Sequence, residues 1–312
     1  MKKYLKIFFF IVIIVLIYIF INKKQINSIE ENQNINSEWI LTQFGDNVGA
    51  QMMSFTIEGN KEGLVIIDGG YKDNEDQYNF LIEKIQKHNN IVDAWIITHF
   101  DSDHGGEFVR IAQLGNIKIK NVYVPDIPTD IEILKEKNPC EDDWSIYKEY
   151  LNFDFFQKVK VHSKDIFELI DLKMEVFSSY ENWIEKKIGI KLNNETLLNN
   201  GSIVFKIYGN KESLLFCGDV QDNIIGEYLI NNYKNKLKSD YLQVAHHGNN
   251  WLGEEFYRLV SPKVAIFPAP DWLIENSGNI SWFTVEKNRK ILEELGSKIL
   301  WHNTSPNILV FK

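Results

Sequence analysis

The chain has 312 residues, 44% of them hydrophobic and 25% charged, with a formal net charge of −9. That length holds one large domain or two small ones, and the apolar fraction supports a full core, which excludes disorder for the bulk of the chain. The acidic balance excludes nonspecific attraction to nucleic acid and leaves only a local basic groove open.

Ile7 to Ile21 is an unbroken apolar run. Joined by Tyr4, Leu5 and a snorkelling Lys6, it just spans a bilayer, so residues 4–21 are the expected membrane contact. No small-x-small pair follows the run, which favours an uncleaved transmembrane anchor over a removed signal peptide. The amino terminus with Lys2, Lys3 and Lys6 outweighs Lys23 and Lys24, which predicts a cytoplasmic amino terminus and an extracellular domain. Residues 1–24 thus read as anchor, 25–37 as a polar spacer rich in Asn and Gln, and 38–312 as the folded domain. Five of the 34 basic residues flank the apolar run and none of the 43 acidic ones do, so the remainder moves from −9 to −14.

Strands are predicted at Trp39 to Phe44, Gln51 to Glu58 and Leu64 to Ile67. The last runs into Asp68-Gly69-Gly70, where a carboxylate either caps a turn or supports a site. Asn74 to His88 is an amphipathic helix with Tyr78, Leu81, Ile82 and Ile85 on one face, and His88 reads as an exposed helix end. The apolar run Ala94 to Ile97 feeds Thr98-His99-Phe100-Asp101-Ser102-Asp103-His104-Gly105-Gly106, and a helix is predicted from Glu107 to Leu114. Ile117 to Val124 is a strand. The insert 125–160, with a helix expected over Trp144 to Phe156, reads as a lid or substrate wall. Further strands are expected at Val159 to His162, Leu172 to Phe177, Gly201 to Tyr208 and Ser213 to Cys217. His162 reads as an ordinary strand histidine, Cys217 as a buried core thiol, and Cys140 as a loop cysteine that says little of compartment. Asp219 then either binds a cation or caps a helix from Asn223 to Leu229. Tyr241 to Ala245 is a strand running into His246-His247-Gly248. Val264 to Phe267, a helix from Val285 to Leu295 and a strand from Asn307 to Phe311 complete the chain. Clustered strands with intervening helices suit a layered α/β domain.

The loop after Ile97 carries the chemistry. His99, Asp101, Asp103 and His104 supply imidazole nitrogens and carboxylate oxygens, the ligands of divalent zinc, manganese or iron. In an extended loop His99, Asp101 and Asp103 would share one side and His104 the other, with Gly105-Gly106 providing a tight turn.

This loop resembles the His-x-His-x-Asp-His signature of the metallo-β-lactamase superfamily, with Asp101 in place of the second histidine. The resulting His-x-Asp-x-Asp-His is similar to the branch that includes the ComEC competence proteins and the phosphorylcholine esterases. The resemblance runs from about Trp39 to Phe311 and implies an αββα sandwich with its metal site at one edge between the sheets. It implies one or two divalent ions, zinc or manganese, held by His99, Asp101, Asp103, His104, Asp219 and His246, with Asp68 behind them. Asp103 and His247 are assigned to catalysis. Of the pair His246 and His247 one ligates and the other orients substrate or donates a proton; His246 is favoured as ligand because it ends the strand directly. At Asn200-Gly201-Ser202, where many relatives carry a further histidine, this chain has none. The implied activity is metal-activated hydrolysis of phosphodiesters, in a cell-envelope polymer or in nucleic acid. Trp251, Trp272 and Trp282 are candidate substrate walls or ordinary loop aromatics. β-Lactam hydrolysis fits less well because of Asp101, and a non-catalytic metal-containing binding module is the non-enzymatic alternative. No protein partner is indicated.

Overall fold

The computed structural model describes residues 38–312 apart from 46–48, 60–62, 131–143, 181–196, 250–251, 282 and 303–304. The expected anchor, its spacer, Cys140, Trp251 and Trp282 lie outside the described residues. Among the described residues no helix is long and apolar enough to cross a membrane.

Two seven-stranded sheets form the centre, ordered β14-β1-β2-β3-β4-β5-β6 and β13-β12-β11-β10-β9-β8-β7. The first holds β1 Trp39–Gln43, β2 Ser54–Gly59, β3 Leu64–Asp68, β4 Ile91–Ile96, β5 Lys118–Pro125, β6 Gln157–Val161 and β14 Asn307–Phe311. The second holds β7 Ile166–Leu169, β8 Leu172–Ser178, β9 Val204–Tyr208, β10 Ser213–Phe216, β11 Tyr241–Gln243, β12 Val264–Phe267 and β13 Lys298–Trp301. In each sheet one half is antiparallel and the other parallel. β3 through β6 run parallel, and so do β10 through β13.

Apolar alternation explains the layering. Val65, Ile67, Ala94 and Ile96 face inward and meet Val176, Phe205, Phe216 and Ile266 of the second sheet. Leu64, Ile66, Val92 and Trp95 face outward, under helices α1 Glu75–Lys87, α2 Ser102–Ala112 and α3 Ser145–Leu151. Strands covered on both faces read as continuous apolar runs, as Leu64 to Ile67 does. The outer face of the second sheet is covered by α4 Asn223–Tyr233, α5 Glu254–Val260 and α6 Val285–Glu294. The order of layers is therefore helices, sheet, sheet, helices, the α/β sandwich the sequence led us to expect.

Three local readings are corrected. Helix α2 starts at Ser102 rather than Glu107, so Gly105 and Gly106 lie within a helix and do not make a turn. Their role is close approach. A Cβ on Gly106 would stand 2.3 Å from the Lys72 amide nitrogen and 2.6 Å from the Gly70 carbonyl oxygen. The described part of the insert is a buttress rather than a lid: Ile146, Tyr147 and Tyr150 are buried, and Phe100 of the loop after β4 packs on the two tyrosine rings at 4.8 and 5.0 Å. His88 is not an exposed end, since its ring lies 3.3 Å from Glu58, which also pairs with Lys84 and Lys87. His162 remains a half-exposed histidine 3.0 Å from Asp126, and Cys217 is a buried free thiol.

Candidate metal centre

The centre lies at the carboxyl ends of parallel strands, two from each sheet, where open α/β sheets leave a crevice. β3 delivers Asp68 and β4 leads into Thr98 and His99. β10 leads to Asp219, and β11 to His246 and His247. Backbone bonds stitch the two ends together: Ile203 N donates to Thr98 O at 2.9 Å, and His246 N to Gly218 O at 3.0 Å. The turn before Asp219 is clamped by Gln243, whose Oε1 accepts from the amides of Cys217 and Gly218 at 2.7 and 2.9 Å.

Four side chains converge. Ligand atoms of Asp103, His104, Asp219 and His247 all lie within 4.8 Å of one another. His247 Nε2 is 3.2 Å from Asp103 Oδ2 and 3.1 Å from Asp219 Oδ2, and His104 Nε2 is 3.3 Å from Asp219 Oδ2. Each ring is oriented from behind. His104 Nδ1 donates to Asp68 Oδ2 at 2.8 Å, and His247 Nδ1 donates to the Pro268 carbonyl at 2.6 Å. Those bonds fix the tautomer that turns the Nε2 lone pair inward, the usual arrangement of a metal-binding histidine. Both Nε2 atoms are buried with no hydrogen bond among the described residues, as is Asp219 Oδ1. Buried polar atoms without partners are uncommon, and converging lone pairs repel unless a cation lies among them. This donor set, two imidazoles and two carboxylates, fits a divalent metal ion.

Beside the quartet, His99 Nε2 is buried, lacks a hydrogen bond and lies 3.4 Å from Asp101 Oδ2. His99 Nδ1 lies 3.2 Å from both Thr98 Oγ1 and Ser202 Oγ. Ser202 thus stands at the place of the absent histidine and supports His99 from behind, while accepting from the Asp219 amide at 3.1 Å. Asp101 occupies the N-cap position of α2 yet makes no side-chain cap bond, so its carboxylate remains directed at the centre. Asp219 is not a cap either: Asp222 caps α4, accepting from Ile224 N at 3.0 Å.

The histidine pair differs from the expectation. His247, not His246, joins the quartet; His246 Nε2 stays 4.0 Å from Asp219 Oδ2 and its side chain is 18% exposed. The physical reason is the turn. His246 and His247 both have left-handed backbone, at φ 48° and 56°, so the second ring swings under the strand end. Gly248 continues at φ 87°, where a Cβ would meet Phe267 at 2.1 Å. Asp103 and His104, expected on opposite sides of an extended loop, act together because they share the first turn of a helix.

Electrostatics agree with a cation site. Burial pushes the His104 ring down, but Asp219, Asp68 and Asp103 outweigh it and hold its pKa well above the ordinary histidine range. His247 is likewise raised to about 10 against its burial, by Asp219 and Asp103. Burial would raise Asp219, but His104 and His247 hold it well below the usual carboxylate range. His246, by contrast, is lowered by burial. Sequence reading missed two residues. Tyr71 is half-buried beside the site, its phenol pushed up to about 12 by burial and by Asp103, Asp101 and Asp219. His302 is 2% exposed and lowered to about 3 by burial and by the charge on His247. Neither sits in a periodic pattern or motif.

Residues 51–127 match the model of the metallo-β-lactamase superfamily, a stretch that contains Asp68 and His99 to His104. That stretch of the chain is thus similar to the metallo-β-lactamase superfamily. It is 28% identical over 183 residues to ComE operon protein 3 of Bacillus subtilis, a match covering 57% of this chain and 20% of that protein. The chain therefore spans about a fifth of the length of this curated relative. Among solved structures it resembles the metallo-β-lactamase fold protein YhfI of Bacillus subtilis, with TM-score 0.54 and 10% identity, over 88% of this chain and 100% of that one. It also resembles CmlA, a diiron β-hydroxylase of Streptomyces venezuelae, with TM-score 0.52 and 11% identity, over 87% of this chain and 54% of that one. At such identities these two likenesses concern the fold alone. Superfamily members are mostly metal-dependent hydrolases, and this chain has a candidate metal site in Asp103, His104, Asp219 and His247.

Proposed function

We propose that this chain is a membrane-anchored, metal-dependent hydrolase of phosphodiester bonds, with its catalytic domain outside the cell. The observation that carries the reading is the convergence of Asp103, His104, Asp219 and His247 with two Nε2 atoms and Asp219 Oδ1 left unpartnered. These four would hold one ion tightly. A second would rest on His99, Asp101 and the free Asp219 Oδ1, with fewer imidazoles and a greater share of oxygen, which favours exchange and manganese. A bound divalent ion supplies hydroxide near neutral pH and polarises the ester under attack. Asp103 keeps one side of the quartet in reach of substrate, being 15% exposed. His246, at the edge and outside the quartet, orients substrate or passes a proton.

The oxygen-rich second position, with Asp101 for histidine, supports phosphodiesters over β-lactams. Within phosphodiesters an envelope substrate is favoured over DNA. All three arginines face carboxylates: Arg110 pairs with Glu75 and Glu107, Arg258 with Glu254, and Arg289 lies near Glu293. Three arginines, each beside a carboxylate in a chain of net charge −9, make a poor surface for tracking a nucleic-acid backbone. Trp272 is 43% exposed, its indole nitrogen donating to Gly49 O at 2.9 Å, and presents an aromatic face for a sugar or a cation. Metal analysis together with turnover of bis(p-nitrophenyl) phosphate and of single-stranded DNA tests the reading. A metal-loaded chain that cleaves neither is a binding module, and cleavage of DNA alone makes it a nuclease. Protease added to intact cells should remove the domain; protection until lysis reverses the orientation.

A further inference from the structure

The strands that deliver the metal centre also define an opposite end. β3 to β6 and β10 to β13 all point at the centre, so the turns before them gather on the far side of the domain. Lysine collects in those turns. Lys118 opens β5, Lys298 opens β13, Lys211 lies in the turn from β9 to β10, and Lys238 precedes β11. All four are exposed, and none has a carboxylate within ion-pair distance among the described residues. Helix dipoles do not account for them, since none stands in the last turn of an α-helix, as Lys84 and Lys87 of α1 do. Lys263 and Lys312 lie at the same end, paired with Glu212 and Glu38. The metal end is the reverse: Asp73, Asp76, Asp222, Glu254, Asp271 and Glu286 lie in the segments that follow the strands there.

The five residues of β3 and the eight of β5 hold the two ends roughly 16–26 Å apart, at about 3.3 Å per residue. Exposed charges are screened over about 8 Å at physiological salt, so the basic end acts as a surface of its own in a chain of net charge −9. A polyanionic substrate held there would lie far from the metal ligands, so substrate capture does not explain the lysines. The course of the chain names a different occupant. Trp39 of β1 pairs with Gly59 and with Phe311, which puts the point where residue 37 joins the domain at this same end. The apolar run Ile7 to Ile21 precedes that point in the sequence. We propose that the lysine-bearing end docks on an anionic phospholipid surface and turns the metal centre away from the bilayer. Lipid phosphates supply the counter-charge that no carboxylate of the domain gives to Lys118, Lys211, Lys238 and Lys298, and each lysine near such a surface strengthens the contact about five-fold.

The choice of a lipid occupant rests on the anchor reading, and the experiment separates the two. The full chain is placed in nanodiscs of phosphatidylcholine alone or mixed with phosphatidylglycerol, and a water-soluble acetylating reagent maps its lysines by mass spectrometry. Lys118, Lys211, Lys238 and Lys298 should react about 5-fold or more slowly on anionic discs than on neutral ones, and the difference should vanish in salt of about 1 M. Lys72 and Lys164, at the metal end, should react equally on both. Lys211→Glu combined with Lys238→Glu should lessen the protection of Lys298 with melting and metal content unchanged; undiminished protection overturns the docking. Equal labelling of the four lysines on both discs overturns it too. Protection by added polyphosphate or DNA on neutral discs, with none on anionic discs, overturns it in favour of a polyanion-binding face. Release of the chain from both discs at high salt overturns the anchor reading, whereas salt-sensitive protection of the four lysines on anionic discs upholds the docking face by itself.

Discussion

Asp68→Asn isolates the support beneath the metal centre. Asp68 is fully buried and accepts three bonds: from Thr98 N and Thr98 Oγ1 at 2.7 Å each, and from His104 Nδ1 at 2.8 Å. The Thr98 amide is an obligate donor, so the carboxamide oxygen must face it. The new NH2 group then faces Thr98 Oγ1, which can accept, and His104 Nδ1, which can no longer donate. His104 responds by moving its proton to Nε2, the atom 3.3 Å from Asp219. A protonated Nε2 cannot ligate. Loss of such a supporting group costs metal affinity about 10- to 100-fold, or ~1.4–2.7 kcal/mol. Competition with a chelating dye measures this directly, and a melting curve without metal reports folding separately. Asp68→Ala is the harsher control, because it leaves the buried Thr98 amide unpaired at about 1–3 kcal/mol. Parent-like metal affinity in folded Asp68→Asn would refute the tautomer argument.

Other consequences are open to measurement. His247→Ala should abolish the tightly held ion while His246→Ala retains it; metal content after dialysis decides, and the opposite pattern restores His246 as ligand. Gly106→Ala should lower stability by about 1–3 kcal/mol or more, because the added methyl overlaps Lys72 N and Gly70 O; an unchanged melting temperature shows that the segment yields freely. Metal affinity should rise from pH 7 to 9, since His104 and His247 are raised (His247 to about 10), and a cation must displace protons that become easier to remove as pH increases. Chelator competition that gives pH-independent affinity over that range contradicts it.

Much of the site was visible in the sequence because residue type and spacing are themselves the chemistry. His99, Asp101, Asp103 and His104 follow a buried strand, and that arrangement survives into the structure. The start of α2 was not visible. Two glycines weigh against helix at roughly 0.8–1.0 kcal/mol each, and tertiary packing overrides that preference: Gly106 lies against the segment 70–72, Gly105 against Ile146, and Phe108, Val109 and Ile111 are buried. The order of His246 and His247 was hidden for a related reason: neither helical nor strand periodicity describes consecutive left-handed residues. The strands β7 and β13 lie at opposite edges of the second sheet and are only partly buried, so they lack the continuous apolar run that marks β10 and β12, strands of the same length. Tyr71 follows the Asp68-Gly69-Gly70 turn directly but carries no ligand chemistry that would mark it, and His302 comes near His247 through tertiary structure alone.

The left-handed backbone at the centre connects fold to chemistry. Asp68 has φ 55°, and His246 and His247 have φ 48° and 56°. Non-glycine residues held in that region cost on the order of 1–3 kcal/mol each and persist only where their surroundings enforce them. Here the surroundings can be named. The Asp68 carbonyl accepts from Trp95 Nε1 at 3.0 Å while its carboxylate accepts from Thr98. His247 is held through Pro268 O, and Gly248 O accepts from Asn288 Nδ2 at 2.8 Å. Both strained turns close the carboxyl end of a parallel strand, and both put a side chain back across that end. An extended exit from β3 or β11 would relieve the strain and carry Asp68 or His247 away from the centre. The two sheets therefore do more than bury apolar surface: their parallel halves supply facing strand ends rigid enough to keep acidic and imidazole groups at separations they would not hold in solution.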